Sequence, residues 1–323
     1  MNRPLISIII PVYNRAHLID GTLNSIKAQT YQNWECIIVD DGSTDNLKYL
    51  INKYIIEDSR FQYIHRPKNK PKGANSCRNY GLYLSKGDYI NWFDSDDLMV
   101  HNKLEIQINH LHNSSYDYSI CQTMMVDLKS KEKLGLRAPK LISDNIFEDY
   151  VSYNIFWLTG APLWKKSFLN KNNLVFDENL YQAQDYDFHM KTLLISENYL
   201  QINEPLVIFN FHEDNMSNSR INNTRKIASN IKVLNMIINK YNFRLSKSTL
   251  KKKYAELLKL YKFCLINSKF KSSLMVLKSL YQNINILEIS NYAKFVFIMK
   301  SCMAFLSFLI FSKGERFLRF NIL

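Results

Sequence analysis

The feature that most constrains this chain is a repeated change of hydrophobic period. Residues 5–12 (LISIIIPV) are apolar and β-branched almost throughout, as a parallel strand covered on both faces requires. Ile19, Leu23 and Ile26 follow at helical spacing, then residues 36–39 (CIIV) return to the buried-strand pattern. Leu47, Leu50, Ile51 and Tyr54 mark a second helix, Tyr63 and Ile64 a short strand, and residues 74–85 a third helix. Residues 89–93 (YINWF) read as another strand, and Leu104, Ile108 and Leu111 as a helix face. Strands that alternate with helices predict an α/β fold with a doubly wound, mostly parallel sheet, whose ligands bind beyond the carboxyl ends of the strands. Residues 119–126 predict a further strand, a turn-rich stretch reaches Gly160, and residues 205–211 (PLVIFNF) predict the last strand. From Ile227 onward the spacing is helical only. The expected division is therefore an α/β domain over residues 1–219 and a helical region over 220–323.

Three strands deliver polar clusters to one edge of that sheet: residues 11–15 (PVYNR), 40–45 (DDGSTD) and 94–97 (DSDD). Ser43 or Thr44 would cap a helix in an ordinary turn. Asp94, Asp96 and Asp97, however, repel one another unless a cation sits among them. Mg2+ or Mn2+, bound through one or two carboxylates plus substrate phosphates, suits that arrangement. An EF-hand does not, because its Gly and terminal Glu are missing. Between the second and fourth strands, Gly73 opens a helix whose amide end suits a phosphate, and Arg78 offers charge to that phosphate or to solvent.

In this order and spacing, PVYNR, DDGSTD, residues 73–81 (GANSCRNYG) and the DxD-type Asp94-Ser95-Asp96 resemble glycosyltransferase family 2 with its GT-A fold. The match continues through Phe176-Asp177-Glu178, residues 184–188 (QDYDF) and His212, and so covers about residues 5–220. The resemblance implies an inverting enzyme that transfers sugar from a nucleotide-sugar, with UDP-sugar the expected donor, to a hydroxyl of a glycan or lipid-linked acceptor. It implies that Pro11, Tyr13 and Asp41 hold the base, that Arg78, Asp94 and Ser95 serve the donor, and that Asp96, with His212, binds Mn2+ or Mg2+. Asp185 is the implied general base, although Gln184 stands where the family commonly has Glu. Asp187 is expected to be structural. Thr159, Gly160 and Ala161 are expected to shape the acceptor pocket, with Trp157 and Trp164 either beside it or in the core.

Charge is distributed unevenly. Residues 1–219 carry 22 Lys+Arg against 26 Asp+Glu, a net of −4, whereas residues 220–323 carry 20 against 3, a net of +17. An anionic partner therefore meets the last third of the chain. The apolar stretch 295–311, broken by Lys300 and followed by Lys313, Arg316 and Arg319, fits an interfacial segment at an anionic membrane surface. No nucleic-acid-binding module is visible, and no nucleic acid is expected. Five scattered cysteines without a CxxC pair, and an N-terminus without a signal-peptide core, predict a cytoplasmic protein on the inner face of the cell membrane. Two other readings are a sugar-phosphate nucleotidyltransferase and an inactive basic membrane- or nucleic-acid-binding protein. The PVYNRAH loop lacks the Gly-rich signature of the first, and the intact acids at 94, 96 and 185 oppose the second.

Overall fold

In the computed structural model, which describes residues 3–212 and 223–318, β1 (Ile6–Val12) is buried along all seven residues. It pairs in parallel with β2 (Trp34–Asp40) on one side and β4 (Tyr89–Trp92) on the other. β3 (Phe61–His65) extends β2, again in parallel. The helices that connect these strands are α1 (Ile19–Lys27), α2 (Leu47–Glu57) and α3 (Ala74–Leu84), each where the apolar spacing predicts it. Beyond β4 lie β5 (Leu98–Met99), α4 (Lys103–Leu111), β6 (Tyr118–Asp127), β7 (Lys133–Leu136), α5 (Ile146–Val151), β8 (Pro162–Lys165), α6 (Lys166–Lys171), α7 (Gln184–Ile195) and β9 (Tyr199–Phe211).

The nine-stranded sheet runs β3-β2-β1-β4-β8-β6-β9-β5, with β7 paired to β6. Chain order reverses between β1 and β4, the switch point at which α/β sheets open a crevice for ligands. The expected α/β sheet is present, and β6 and β9 add a second long parallel pairing. β5, β7 and β8 join antiparallel. These three strands have two to four residues each, too few for a period-two pattern to declare itself in the sequence. Buried Asn91 secures the antiparallel joint: its Nδ2 donates to the carbonyls of Gly160 at 3.1 Å and Pro162 at 2.7 Å.

The seating of α3 on β1 depends on Gly81, where a Cβ would fall 2.3 Å from Ile9 Cγ2. Only a residue without a side chain lets this helix lie so close to the central strand.

The chain divides into two compact units, Met1–Asn179 with Gln184–Ser219, and Leu180–Ala183 with Arg220–Leu323. Ser219 itself lies outside the described residues. In the second unit the Tyr181 N–H donates to Ser229 Oγ at 2.9 Å, which ties the short segment to α8 (Thr224–Asn239). α9 (Lys247–Ile266), α10 (Phe270–Gln282) and α11 (Asn291–Phe311) complete it around a core that includes Tyr254, Leu257, Tyr261, Val276, Leu280 and Phe297. Asn223, Ser246 and Ser290 cap α8, α9 and α11 by accepting a backbone N–H. Among the described helices, α11 alone is long and apolar enough to cross a membrane, with a mean hydropathy of 1.9.

Candidate active site

The loops after β1 and β2 form one stitched surface. Asn14 adopts a left-handed backbone (φ 50°), its N–H donates to Ser43 Oγ at 2.9 Å, and its Oδ1 accepts from the Thr44 N–H at 2.8 Å. Ser43 in turn donates to buried Asp40, through its N–H at 3.0 Å and its hydroxyl at 2.5 Å. Tyr63 also donates to Asp40 at 2.8 Å, and His65 Nδ1 lies 3.2 Å away. Asp40 is therefore the organiser of the loop, and its neighbour Asp41 is likewise buried. Arg66 Nε donates to Asp41 Oδ1 at 2.5 Å, which leaves Oδ2 without a hydrogen-bond partner among the described residues. Beside it stand Pro11, buried in β1, and the exposed Tyr13 ring, with Lys72 Nζ 4.1 Å from the ring centroid.

The acidic cluster after β4 splits into three roles. Asp94 Oδ1 accepts from Arg78 Nη2 at 2.8 Å, and Ser95 beside it is buried. Asp96 Oδ2 lies 3.3 Å from His212 Nε2 and 4.0 Å from Arg15 Nη2, and the Asp96 carbonyl accepts from Asn210 Nδ2 at 2.7 Å. Asp97 is buried, accepts from the Asn210 N–H at 3.2 Å, and its carbonyl accepts from Thr22 Oγ1 at 2.8 Å. It thereby joins the end of β9 to α1. Burial pushes the carboxyls of Asp96 and Asp97 above the usual range, and the neighbouring carboxylates push further in the same direction. For Asp96, Arg15 and His212 oppose the rise.

Arg78 is not a surface cation. It is buried on α3, with Nη2 on Asp94, Nη1 3.2 Å from Asn75 Oδ1 and 3.4 Å from Gln184 Oε1, and its guanidinium 5.1 Å from the Phe176 ring centroid. Two asparagines of the same helix bind the segment that precedes α7. Asn75 Nδ2 donates to the Asp177 carbonyl at 2.7 Å. Asn79 donates to the Phe176 carbonyl at 2.9 Å and accepts the Phe176 N–H at 2.9 Å. The sequence pattern around residues 73–81 thus encodes a clamp: Gly81 seats the helix, Asn75 and Asn79 hold residues 176–177, and Arg78 faces the carboxylates.

Asp185 sits in the first turn of α7, half-buried, and Oδ1 accepts the Tyr186 N–H at 2.8 Å. Burial raises its carboxyl above the usual range, and the Tyr186 N–H and Arg78 partly oppose this. Asp187 faces the core and pairs with Lys191 at 2.5 Å, one turn on. Trp157 and Trp164 are core residues: both are buried, and Trp164 stacks on Tyr118 at 4.3 Å. Among the described residues Arg78 thus pairs with Asp94 and reaches Gln184, the residue before Asp185, while Asp96 and His212 form a second pair. Of the supporting partners, Arg15, Asn75 and Asn79 lie within the polar stretches read from the sequence without a role of their own, and Arg66 lies outside them. Asn210 on β9 could have been found from His212, which follows the end of that strand two residues later, since a strand places alternate residues on one face.

The comparisons with known proteins bear on family and fold. The family model of glycosyl transferase family 2 matches residues 7–168. An uncharacterised glycosyltransferase of Rickettsia typhi is 33% identical over 226 residues, which is 68% of each chain. The Escherichia coli UDP-Glc:alpha-D-GlcNAc-diphosphoundecaprenol beta-1,3-glucosyltransferase WfgD is 38% identical over 120 residues, 36% of this chain and 46% of that protein. Among solved structures, residues 1–349 of Staphylococcus aureus TarS, in complex with UDP-GlcNAc, superpose with a TM-score of 0.64 at 17% identity, over 92% of this chain and 87% of the other. With the GT-A sheet, its switch-point crevice and a family match that spans the strands delivering the polar clusters, this chain is a member of glycosyltransferase family 2.

Proposed function

We propose that this family member is an inverting transferase that moves a sugar from a UDP-sugar to a hydroxyl of a glycan or lipid-linked acceptor in cell-surface polysaccharide synthesis. The observation that carries the reading is the Arg78 bridge. One buried guanidinium reaches Asp94 at 2.8 Å and Gln184, the neighbour of Asp185, at 3.4 Å, so the donor-side acid and the first residue of the helix that carries the acceptor-side acid share one anchor. The donor named for WfgD and the UDP-GlcNAc bound to TarS support a UDP-sugar, and the diphosphoundecaprenol substrate of WfgD supports a lipid-linked acceptor.

In this reading Asp41 Oδ2 accepts the uracil N–H while Arg66 holds Oδ1, and Pro11 and Tyr13 flank the base. Asp94 and Ser95 adjoin the ribose and diphosphate. Asp96 and His212 would hold Mn2+ or Mg2+. Their facing atoms are 3.3 Å apart, and the Asp96 carboxylate is under like-charge pressure from Asp94 that a cation would relieve. No cluster of three or more metal-ligating side chains occurs among the described residues, so donor phosphate oxygens and water would complete the shell. When bound, the ion neutralises charge on the departing diphosphate. Asp185 takes the proton of the acceptor hydroxyl as that oxygen bonds to the anomeric carbon and the bond to the diphosphate breaks. Its raised proton affinity makes it a stronger base than a surface carboxylate.

The test is transfer from a panel of UDP-sugars with Mn2+ present. Asp185→Asn should lower transfer by at least ~10²-fold with UDP affinity little changed. Transfer at the wild-type rate in that variant would remove Asp185 from its role, and no UDP-sugar turnover by the wild type would remove the donor assignment.

A further inference from the structure

α11 has two opposite apolar faces. Phe297, Ser301, Ala304 and Phe308 lie on one, all buried in the core of the helical unit. Tyr292, Phe295, Met299, Met303, Leu306 and Ile310 recur at spacings of three and four on the other, and each is at least 44% exposed. At 3.6 residues per turn these six make a straight stripe roughly opposite the buried face. A soluble helix covers its apolar stripe and turns polar residues outward. This one covers one stripe and leaves a second open.

We propose that this stripe lies flat in the interface of an anionic lipid bilayer, as an in-plane anchor. Charge decides the occupant. The stripe belongs to the stretch with 20 Lys+Arg and 3 acids. Of those acids, Glu288 is held by Lys247 and Lys251, and Glu256 by Lys253. Exposed Lys300 flanks the stripe, and Lys313 and Arg316 follow the helix, positioned to meet lipid phosphates while the apolar side chains enter the acyl boundary. Arg319, which the sequence also places here, lies outside the described residues. A second copy of the chain docked through the same stripe would bring two such basic surfaces together within a Debye length, ~8 Å at physiological salt. A transmembrane orientation would strip Phe297 and Phe308 from their core and place Lys300 within the acyl region. The inference stands apart from the transferase reading, and its test does not use activity.

The experiment uses the full chain with vesicles of phosphatidylcholine alone and of phosphatidylcholine mixed with phosphatidylglycerol. Wild type should sediment with the mixed vesicles only, and salt should release it. Met299→Glu/Leu306→Glu changes two exposed positions, so circular dichroism should be unchanged while vesicle affinity falls by at least ~10-fold. Because all four tryptophans precede residue 165, Phe295→Trp adds a reporter whose emission should shift to the blue on mixed vesicles. The proposal is overturned if the folded double variant binds like wild type, if wild type ignores anionic vesicles, or if bound protein resists salt and alkaline extraction as a span would. It is equally overturned if wild type self-associates without lipid and the double variant does not, since a second copy then covers the stripe.

Discussion

Acidification should unfold the catalytic unit partly through one buried imidazole. His189 lies one turn after Asp185 on α7, 1% exposed, with Nδ1 3.0 Å from the Tyr150 hydroxyl and ring centroids of Trp157 and Trp164 at 5.7 and 6.0 Å. Burial, reinforced by the Arg78 charge, pushes its pKa down to about 3. In the unfolded chain it titrates near the ordinary ~6.5. Between these values only the unfolded state binds the proton, so this contribution to stability is complete above ~6.5 and is lost as pH falls toward about 3. Each pH unit in that window costs ~1.4 kcal/mol, which amounts to about 2 kcal/mol at pH 5 and about 3 kcal/mol at pH 4. His189→Gln removes the titrating group and leaves every carboxylate in place. Urea unfolding followed by tryptophan emission reports on the catalytic unit alone, because Trp34, Trp92, Trp157 and Trp164 all lie in it. The stability difference between wild type and variant should narrow by about 2 kcal/mol in favour of the variant from pH 8 to pH 5. Parallel curves would mean that His189 binds its proton as readily in the folded protein, and the burial argument would fail.

Arg78→Met should cost about 2–3 kcal/mol, below the range for a fully enclosed pair because Asp94 is partly open, and urea unfolding measures it. Arg78→Lys should restore more of that stability than of kcat, since an ammonium cannot span Asp94 and Gln184 as the planar fork does. Gly81→Ala should destabilise by ~1–3 kcal/mol, and combined with Ile9→Ala the loss should be smaller than the sum of the two single losses, because the added methyl meets Ile9 Cγ2. Asp96→Asn should leave thermal stability without ligand intact and abolish the extra stabilisation that Mn2+ gives in the presence of UDP. An unchanged Mn2+ response would take Asp96 out of the metal site.

Much of the first half was legible because parallel strands buried on both faces must be continuous apolar runs, and residues 5–12 and 36–39 are such runs. The polar clusters that follow them sit at strand ends for the same reason. Legibility faded after β4. β5 and β8 owe their positions to cross-strand partners in β9, β4 and β6. α7 also escaped notice, since its buried face includes Asp187 and His189, whose letters do not announce burial.

From sequence alone came the α/β class, the order of strands and helices through β4, the edge where Asp41, Asp94 and Asp96 gather, and the basic character of residues 220–323. These depend on periodicity and on charge, both of which are local or additive. Tertiary structure decided what each charged group does. Arg78 reads as a surface cation until Asp94 and Gln184, 16 and 106 residues away, are seen to enclose it. Asp97 reads as one more ligand until Asn210, 113 residues away, claims it. α11 reads as one apolar segment until α9 and α10 cover one face, through Tyr254, Tyr261 and Phe270, and leave the other to solvent. The physical reason is common to all three. Burial and pairing are properties of surfaces that meet only after the chain has crossed the sheet, and no window of neighbouring residues contains them.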